Sequence, residues 1–213
     1  VDGLYVPRTG NRFTHSFNRH QHVSDLAVRV KDMEDWVKVD FNVNPMAATL
    51  SSYVPWSRCK LRTFDEIKIA GADTYDLCDA IKEKLGMNWR NAIIFPDPAG
   101  VKTTTNARDM MSDIKIIKQA GFKEENIRYK KQISVKDTYF AINNLFDKGS
   151  WAVHPKCKEF ISDMEQVKVI DGAFKMDKTN LQRTHWLDGA KNMADYMFPV
   201  VKSYSEVTSR QIR

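Results

Sequence analysis

The spacing of apolar and polar residues divides the chain into two unlike parts. Between positions 36 and 69 three runs follow in quick succession, WVKVDFNV (36–43), MAATLSSYV (46–54) and RCKLRTFDEIKI (58–69), each rich in β-branched and aromatic residues. The links between them are too short for a crossover helix, so the pattern predicts an antiparallel meander. After Ile69 the period lengthens. Asp73 or Thr74 can cap a helix whose apolar positions Leu77, Ala80, Ile81 and Leu85 recur at helical spacing, and Gly86 stops it. NAIIF (91–95) is a short, wholly apolar strand. Residues 106–120 read as a second helix with Met110, Ile114 and Ile117 inward and Gly121 at its end. Residues 127–132 read as a further strand, Ser134 caps a third helix ending near Gly149, and Pro155 suits the first turn of a short fourth.

The last helix carries the strongest period. Trp186, Ala190, Met193 and Met197 form one stripe that must face a core, Thr179-Asn-Leu-Gln182 reads as a capping box at its start, and Pro199 ends it. The first 35 residues hold strand-like stretches at 4–6 and 26–30 around the turn-forming Thr9-Gly10-Asn11, an extra N-terminal hairpin region in which Tyr5, Phe13 and Phe17 could pack. The order is three antiparallel strands, then alternating helices and parallel strands, which makes an α/β mixed sheet. Residues 1–199 are expected to form one domain, and 200–213 a polar, mobile tail.

Length agrees with one core, since 213 residues are too few for two comfortable domains. No apolar run approaches the roughly 18 residues of a membrane span. VDGLYVPRTGNRF shows neither an initiator Met nor a signal-peptide pattern and reads as a piece of a longer polypeptide. Lys and Arg number 33 against 27 Asp and Glu, a net +6 that is compatible with a polyanionic partner without requiring one. Cys59, Cys78 and Cys157 make no CxxC pair, which points away from a disulfide framework or a cysteine zinc site and towards a reducing compartment. His15, His20 and His22 are close in sequence but have no soft fourth ligand nearby.

Three aspartates stand where the local pattern does not ask for one. Asp40 interrupts a strand, where a lone carboxylate is disfavoured and costly to bury. Asp97 lies between prolines in FPDPAG, directly after an apolar strand, where α/β sheets collect ligands; it could equally be an ordinary turn residue. Asp188 lies on the last helix opposite the apolar stripe, with His185, Asn192 and Asp195, and could belong to a solvated face. Convergent carboxylates are how proteins hold Mg²⁺ or Mn²⁺, and two such ions can clamp the attacking and leaving oxygens of a phosphodiester.

VDFNVNPMAATL, FPDP after the next strand and HWLDGAKNMADYMF on a terminal helix together resemble the nuclease domain of bacteriophage terminase large subunits, of the P22-like headful-packaging type. The resemblance covers nearly the whole chain. It implies an RNase H-like (RuvC-type) fold and a metal-dependent endodeoxyribonuclease that cleaves concatemeric viral DNA during packaging. By position, Asp40, Asp97 and Asp188 look like the metal-binding and catalytic carboxylates of a two-metal-ion mechanism, using one or two Mg²⁺ or Mn²⁺ ions. Glu66 could add a fourth carboxylate or support the others, or be an exposed strand residue. His185, one turn before Asp188, could orient it, contact DNA, or simply pack. The implied partners are double-stranded DNA, a terminase ATPase domain, the small subunit and the portal protein, in the host cytoplasm and off any membrane.

No GxxxxGK[ST] occurs and Gly100-Val-Lys-Thr103 lacks the glycine spacing, so no ATP site is expected in this chain. Lys102 is the candidate for a phosphate contact near the site. Arg8, Arg12, Arg19 and His20–His22, and the run 123–131, could touch phosphates or be solvated surface. Another RNase H-like nuclease such as a junction resolvase, or a non-catalytic DNA or portal docking module, are the competing readings.

Overall fold

The expected meander forms: β1 (Glu34–Asp40), β2 (Met46–Tyr53) and β3 (Leu61–Ile69) are antiparallel neighbours, with Asp40 opposite Ala47 and Met46 opposite Ile69. The computed structural model describes residues 11–42, 44–101, 111–131, 134–170, 174–180 and 183–200. Two short strands extend the sheet in parallel, β4 (Ile93–Pro96) beside β1 and β5 (Trp151–Val153) beside β3, in the order β4-β1-β2-β3-β5.

The alternation along β1 separates two cores. Val37 and Val39 face one with Leu77, Ile81 and Ile94, while Trp36 faces the other with Phe146, Trp151 and Trp186. The first face is covered by α2 (Thr74–Leu85) and α3 (Asp113–Gln119), the second by α4 (Val135–Asp147), α5 (Lys158–Gln166) and α6 (His185–Met197). Caps explain several starts. The Asp73 carboxylate accepts the amides of Tyr75 and Asp76 while Asp76 returns to the Asp73 amide, Ser112 caps α3, and Ser134 caps α4. Gly86, at φ 58°, closes α2 in a conformation other residues rarely adopt. The stripe on α6 turns inward as its period requires: Trp186, Ala190 and Met193 are buried, and Met197 packs against them.

The chain departs from its pattern where pairing depends on distant partners. Residues 26–30 form no strand. Leu26 and Val28 stand 79% and 47% exposed, and the edge strand β5 takes only a single bridge from Val23. The N-terminal hairpin region is therefore absent among the described residues; the stretch 4–6 lies outside them, as do Tyr5 and Arg8. A four-residue helix, α1 (Arg19–His22), occupies that region instead. Phe13 and Phe17 pack on α4, edge-on to Tyr139 at 5.3 Å and to Phe146 at 5.2 Å, which uses their faces in the core. Residues 127–131 make one bridge, Ile127 to Ile94, and no strand, because the chain leaves the sheet to place Lys130 on Asp195. Residue 132, Met110 and the rest of 102–110 lie outside the described residues, as does 201–213.

Helix starts moved for the same reason. α5 begins at Lys158 and not at Pro155, since the Glu66 carboxylate reaches across from β3 to accept the amides of Glu159 and Phe160 at 3.0 and 2.9 Å. α6 begins at His185, beyond the expected capping box; Thr184 before it sits at φ 86° and supplies no side-chain cap. The cap comes instead from Asp163 on α5, whose Oδ2 accepts the amides of Trp186 and Leu187 at 3.2 and 3.3 Å.

One glycine lets α6 lie directly on β1. A Cβ built on Gly189 would stand 3.2 Å from the Val39 nitrogen and 3.3 Å from the Lys38 carbonyl carbon. Lys38 itself is wholly buried, its ammonium on the Ser51 hydroxyl and 5.5 Å from the Trp151 ring centre, and burial pulls its amine down to about 7. The backbone at this crossing therefore has little room to give. Gly189→Val should cost about 1–3 kcal/mol in urea unfolding, the usual range for overpacking. A variant as stable as the parent would mean that α6 is not seated on β1.

Candidate metal centre

Parallel pairing decides where the acidic residues meet. β1 and β4 run the same way, so Asp40 at the end of β1 and Asp97 just after β4 leave the sheet at one edge. The Asp97 amide donates to the Val39 carbonyl at 3.0 Å, which ties the Pro-Asp-Pro loop to the strand that carries Asp40. Its carboxylate then accepts the Ala99 amide at 2.8 Å. Gly100 is required for this turn: a Cβ there would fall 2.5 Å from the Phe41 ring. Asp188, in the first turn of α6, is carried to the same edge by the close seating at Gly189.

Each carboxylate has a different compensation. Asp40 is buried, with Oδ2 2.9 Å from His185 Nδ1 and 3.1 Å from Asn42 Nδ2. Asn42 Nδ2 also lies 2.9 Å from His185 Nδ1. If that nitrogen carries a proton it donates to Asp40; if not, it accepts from Asn42. His185 therefore orients Asp40, not Asp188 as its place one helical turn away suggested. Asp188 is 4% exposed and not part of a solvated face; Lys178 Nζ donates to its Oδ2 at 2.7 Å, and Lys191 to its Oδ1. Burial alone would raise its pKa, but the charges of Lys191 and Lys178 outweigh burial and hold it below the usual carboxylate range.

Asp97 goes the other way. Burial pushes its carboxyl up, and the negative charges of Asp40 and Asp188 push it further, against the Ala99 amide. Lys178 is raised, because the field of Asp188, and then of Asp40 and Asp97, outweighs its loss of water. The three carboxylates thus share one electrostatic field. Beside them a cavity of about 300 Å³ is lined by Asp97, Asp188, Lys131, Lys178, Lys191 and Asn192.

An all-oxygen donor set of this kind suits a hard dication better than zinc or copper. In the arrangement described, however, no three His, Cys, Asp or Glu side chains among the described residues close around a common point. Asp188 itself has both oxygens held by ammonium groups. Glu66 is not with the three, being committed to the start of α5. Lys102 lies outside the described residues. Of the basic run 123–131, Lys131 reaches the cavity while Lys130 is bound to Asp195 at 2.8 Å. His22 is buried with its ring nitrogens on the Phe146 carbonyl and the Asn18 amide, so the early histidines are structural at that position.

Four contributors escaped the sequence pattern. Lys191 and Asn42 could have been found by spacing, three residues along the helix from Asp188 and two along the chain from Asp40. Lys178 and Asp163 carry no local signal.

No protein-family model and no curated protein matches the chain by sequence. Solved structures do match by fold. The large terminase of a thermophilic bacteriophage, in complex with ATP-γ-S, superposes with a TM-score of 0.68 at 16% identity, covering 87% of this chain and 45% of that one. The P22 large terminase nuclease domain gives 0.59 at 15% identity over 87% of this chain and 91% of its own. The large terminase nuclease domain of bacteriophage SPP1 with bound Mn gives 0.54 at 12% identity over 80% and 92%. The chain therefore has the RNase H-like fold of these nuclease domains, and spans a little under half of the thermophilic phage's terminase.

The cap on α6 carries its own pH signature. Asp163 is fully buried, its Oδ1 has no hydrogen-bond partner among the described residues, and burial pushes the carboxyl up to about 7 against the pull of the Leu187 and Thr184 amides. The folded chain then holds a proton that the unfolded chain releases near the ordinary value of 3.8. Its contribution to stability is complete below that value and is lost as pH rises through about 7. Asp163→Asn keeps an oxygen for the two amides and removes the titration. Relative to that variant, the parent should lose on the order of a few kcal/mol between about pH 4 and 7 in urea unfolding. Equal slopes for the two proteins would refute the assignment.

Proposed function

We propose that the chain is a metal-dependent endodeoxyribonuclease that cleaves DNA during phage genome packaging, the nuclease portion of a large terminase. What supports this reading is that Asp40 at the end of β1, Asp97 just after the parallel β4 and Asp188 on α6 stand at one end of an RNase H-like sheet and within one electrostatic field. Mn in the SPP1 nuclease domain supports an oxygen-ligated ion, Mg²⁺ or Mn²⁺, held by these three residues. When bound, one or two such ions would activate water and stabilise the departing oxygen of a phosphodiester.

The protein's own residues do the rest. His185 and Asn42 both hold Asp40 Oδ2, which fixes the rotamer and leaves Oδ1 to an ion. The prolines around Asp97 and its own turn do the same for the second carboxylate. Lys131, Lys178 and Lys191 put three ammonium groups on the cavity, where the phosphates of a bound strand need them. None reads a base, so binding is independent of sequence.

ATP hydrolysis belongs to a separate unit on this reading. The thermophilic-phage terminase in complex with ATP-γ-S is more than twice the length matched here, and this chain has no phosphate-loop motif. Residues 1–199 would be the nuclease domain, joined in the whole protein to an ATPase domain and working with a small subunit and a portal protein in the host cytoplasm. No helix among the described residues is long and apolar enough to cross a membrane.

Two measurements test this. Asp40→Asn, which keeps the contacts to His185 and Asn42, should lower Mn²⁺-dependent plasmid nicking by about 10²-fold or more with an unchanged melting curve. Nicking at the parental rate would exclude Asp40 from catalysis. Duplex binding should also weaken with salt as three phosphate contacts predict, a slope of about −2.7, or roughly 40-fold between 50 and 200 mM. Tight, salt-insensitive and sequence-selective binding would instead favour a self-sufficient nuclease such as a resolvase.

A further inference from the structure

Asp188 presents two carboxylate oxygens, and each already receives an ammonium group. The two lysines are not equivalent. Lys191 lies on α6 itself, three residues along, with a side chain 16% exposed. Lys178 comes from the segment before the helix, where Met176 bridges Val169 and the Asp177 amide donates to the Lys168 carbonyl at 2.8 Å. The segment is anchored, but the Lys178 side chain is 58% exposed and can turn without repacking anything. Together they set two positive charges against one carboxylate, the charge that a divalent ion would bring.

A carboxylate oxygen has two lone pairs, but an ammonium and a dication on the same oxygen stand close enough to repel each other strongly. An ion that takes Asp188 Oδ2 therefore works against Lys178 and favours its release. The released group stays on its four-carbon stem in the cavity it already lines, beside Lys131 and Asp97. The anionic oxygens of a DNA backbone are what such a group would next meet there.

We propose that Lys178 is an exchangeable counter-cation, a positioning residue that neutralises Asp188 in the metal-free protein and passes to a DNA phosphate when a divalent ion takes its place. This rests on the reading of Asp188 as a metal ligand. The exchange makes metal and DNA help each other: the ion frees the lysine for phosphate, and the phosphate holds the lysine away from Asp188. By linkage, each must tighten the other by the same factor. The free protein consequently binds its ion weakly and commits to it only on DNA.

Calorimetric titration of Mn²⁺ into the DNA-free protein tests the idea, on parent, Lys178→Met, Lys131→Met and Asp188→Asn, each first shown folded by its melting curve. Lys178→Met should bind Mn²⁺ about fivefold tighter or more than the parent. Lys131→Met, which removes a cavity cation that does not touch Asp188, should change the affinity much less. In a second arm Ca²⁺ replaces Mn²⁺, with a gel confirming that a short duplex stays intact. Duplex should tighten Ca²⁺ binding to the parent, and that coupling should be largely lost in Lys178→Met. Unchanged or weaker Mn²⁺ binding by Lys178→Met, or equal tightening by the two methionine variants, would overturn the exchange while leaving the metal site intact. Parental Mn²⁺ affinity in Asp188→Asn would instead remove the metal reading on which the exchange rests.

Discussion

Asp40 ends β1 and Asp97 follows β4, and because these strands run parallel both carboxylates leave the sheet at one edge, where α6 adds Asp188. Three negative charges in a half-buried place repel one another, and burial strips each of water. The surroundings answer with three different devices. Asp40 receives a histidine and an amide, Asp97 one backbone N–H, and Asp188 two ammonium groups at the positive end of a helix. The unequal answers explain the opposite shifts, Asp97 up and Asp188 down.

Local pattern revealed what local forces decide. The three meander strands, the cap at Asp73, the stop at Gly86 and the α6 stripe all depend on residues within one or two turns, and all appeared as the periodicity indicated. Missed features depend on partners far away in sequence. β5 has only three residues, and nothing in Trp-Ala-Val distinguishes it from a loop until β3 supplies Leu61 to Thr63 beside it. The alternation at 26–30 was as good as that of a strand, yet no neighbour among the described residues offers a ladder there. The helix expected from the capping-box pattern at 179–182 starts later, at His185, where a carboxylate from another helix caps it.

The candidate site divides in the same way. Asp40, Asp97 and Asp188 were visible because each violates its local context, a carboxylate in a strand, between prolines, or beside an apolar stripe. Glu66 violates its context too, but the unmade hydrogen bonds it satisfies are helix amides and not a ligand's. An out-of-place carboxylate says that something positive waits for it; sequence does not say whether that is an ion, a lysine or a helix end.

Glu66 and Asp163 show why that ambiguity matters for the geometry. Glu66 on β3 holds the first amides of α5, and Asp163 on α5 holds the first amides of α6, which carries Asp188. Two carboxylate caps in series thus connect the sheet to the helix that must stand at its edge. Each cap joins elements that are distant along the chain, and Thr184 before α6 offers no side-chain cap of its own. Packing of Trp186 and Gly189 sets the depth of α6 on β1, but a helix lying on a sheet can still slide along its own axis. Amide caps are directional over a fraction of an ångström, so they resist that slide. The carboxylates remote from the centre therefore supply the register that the central three require, and the buried, half-satisfied Asp163 is the cost of it.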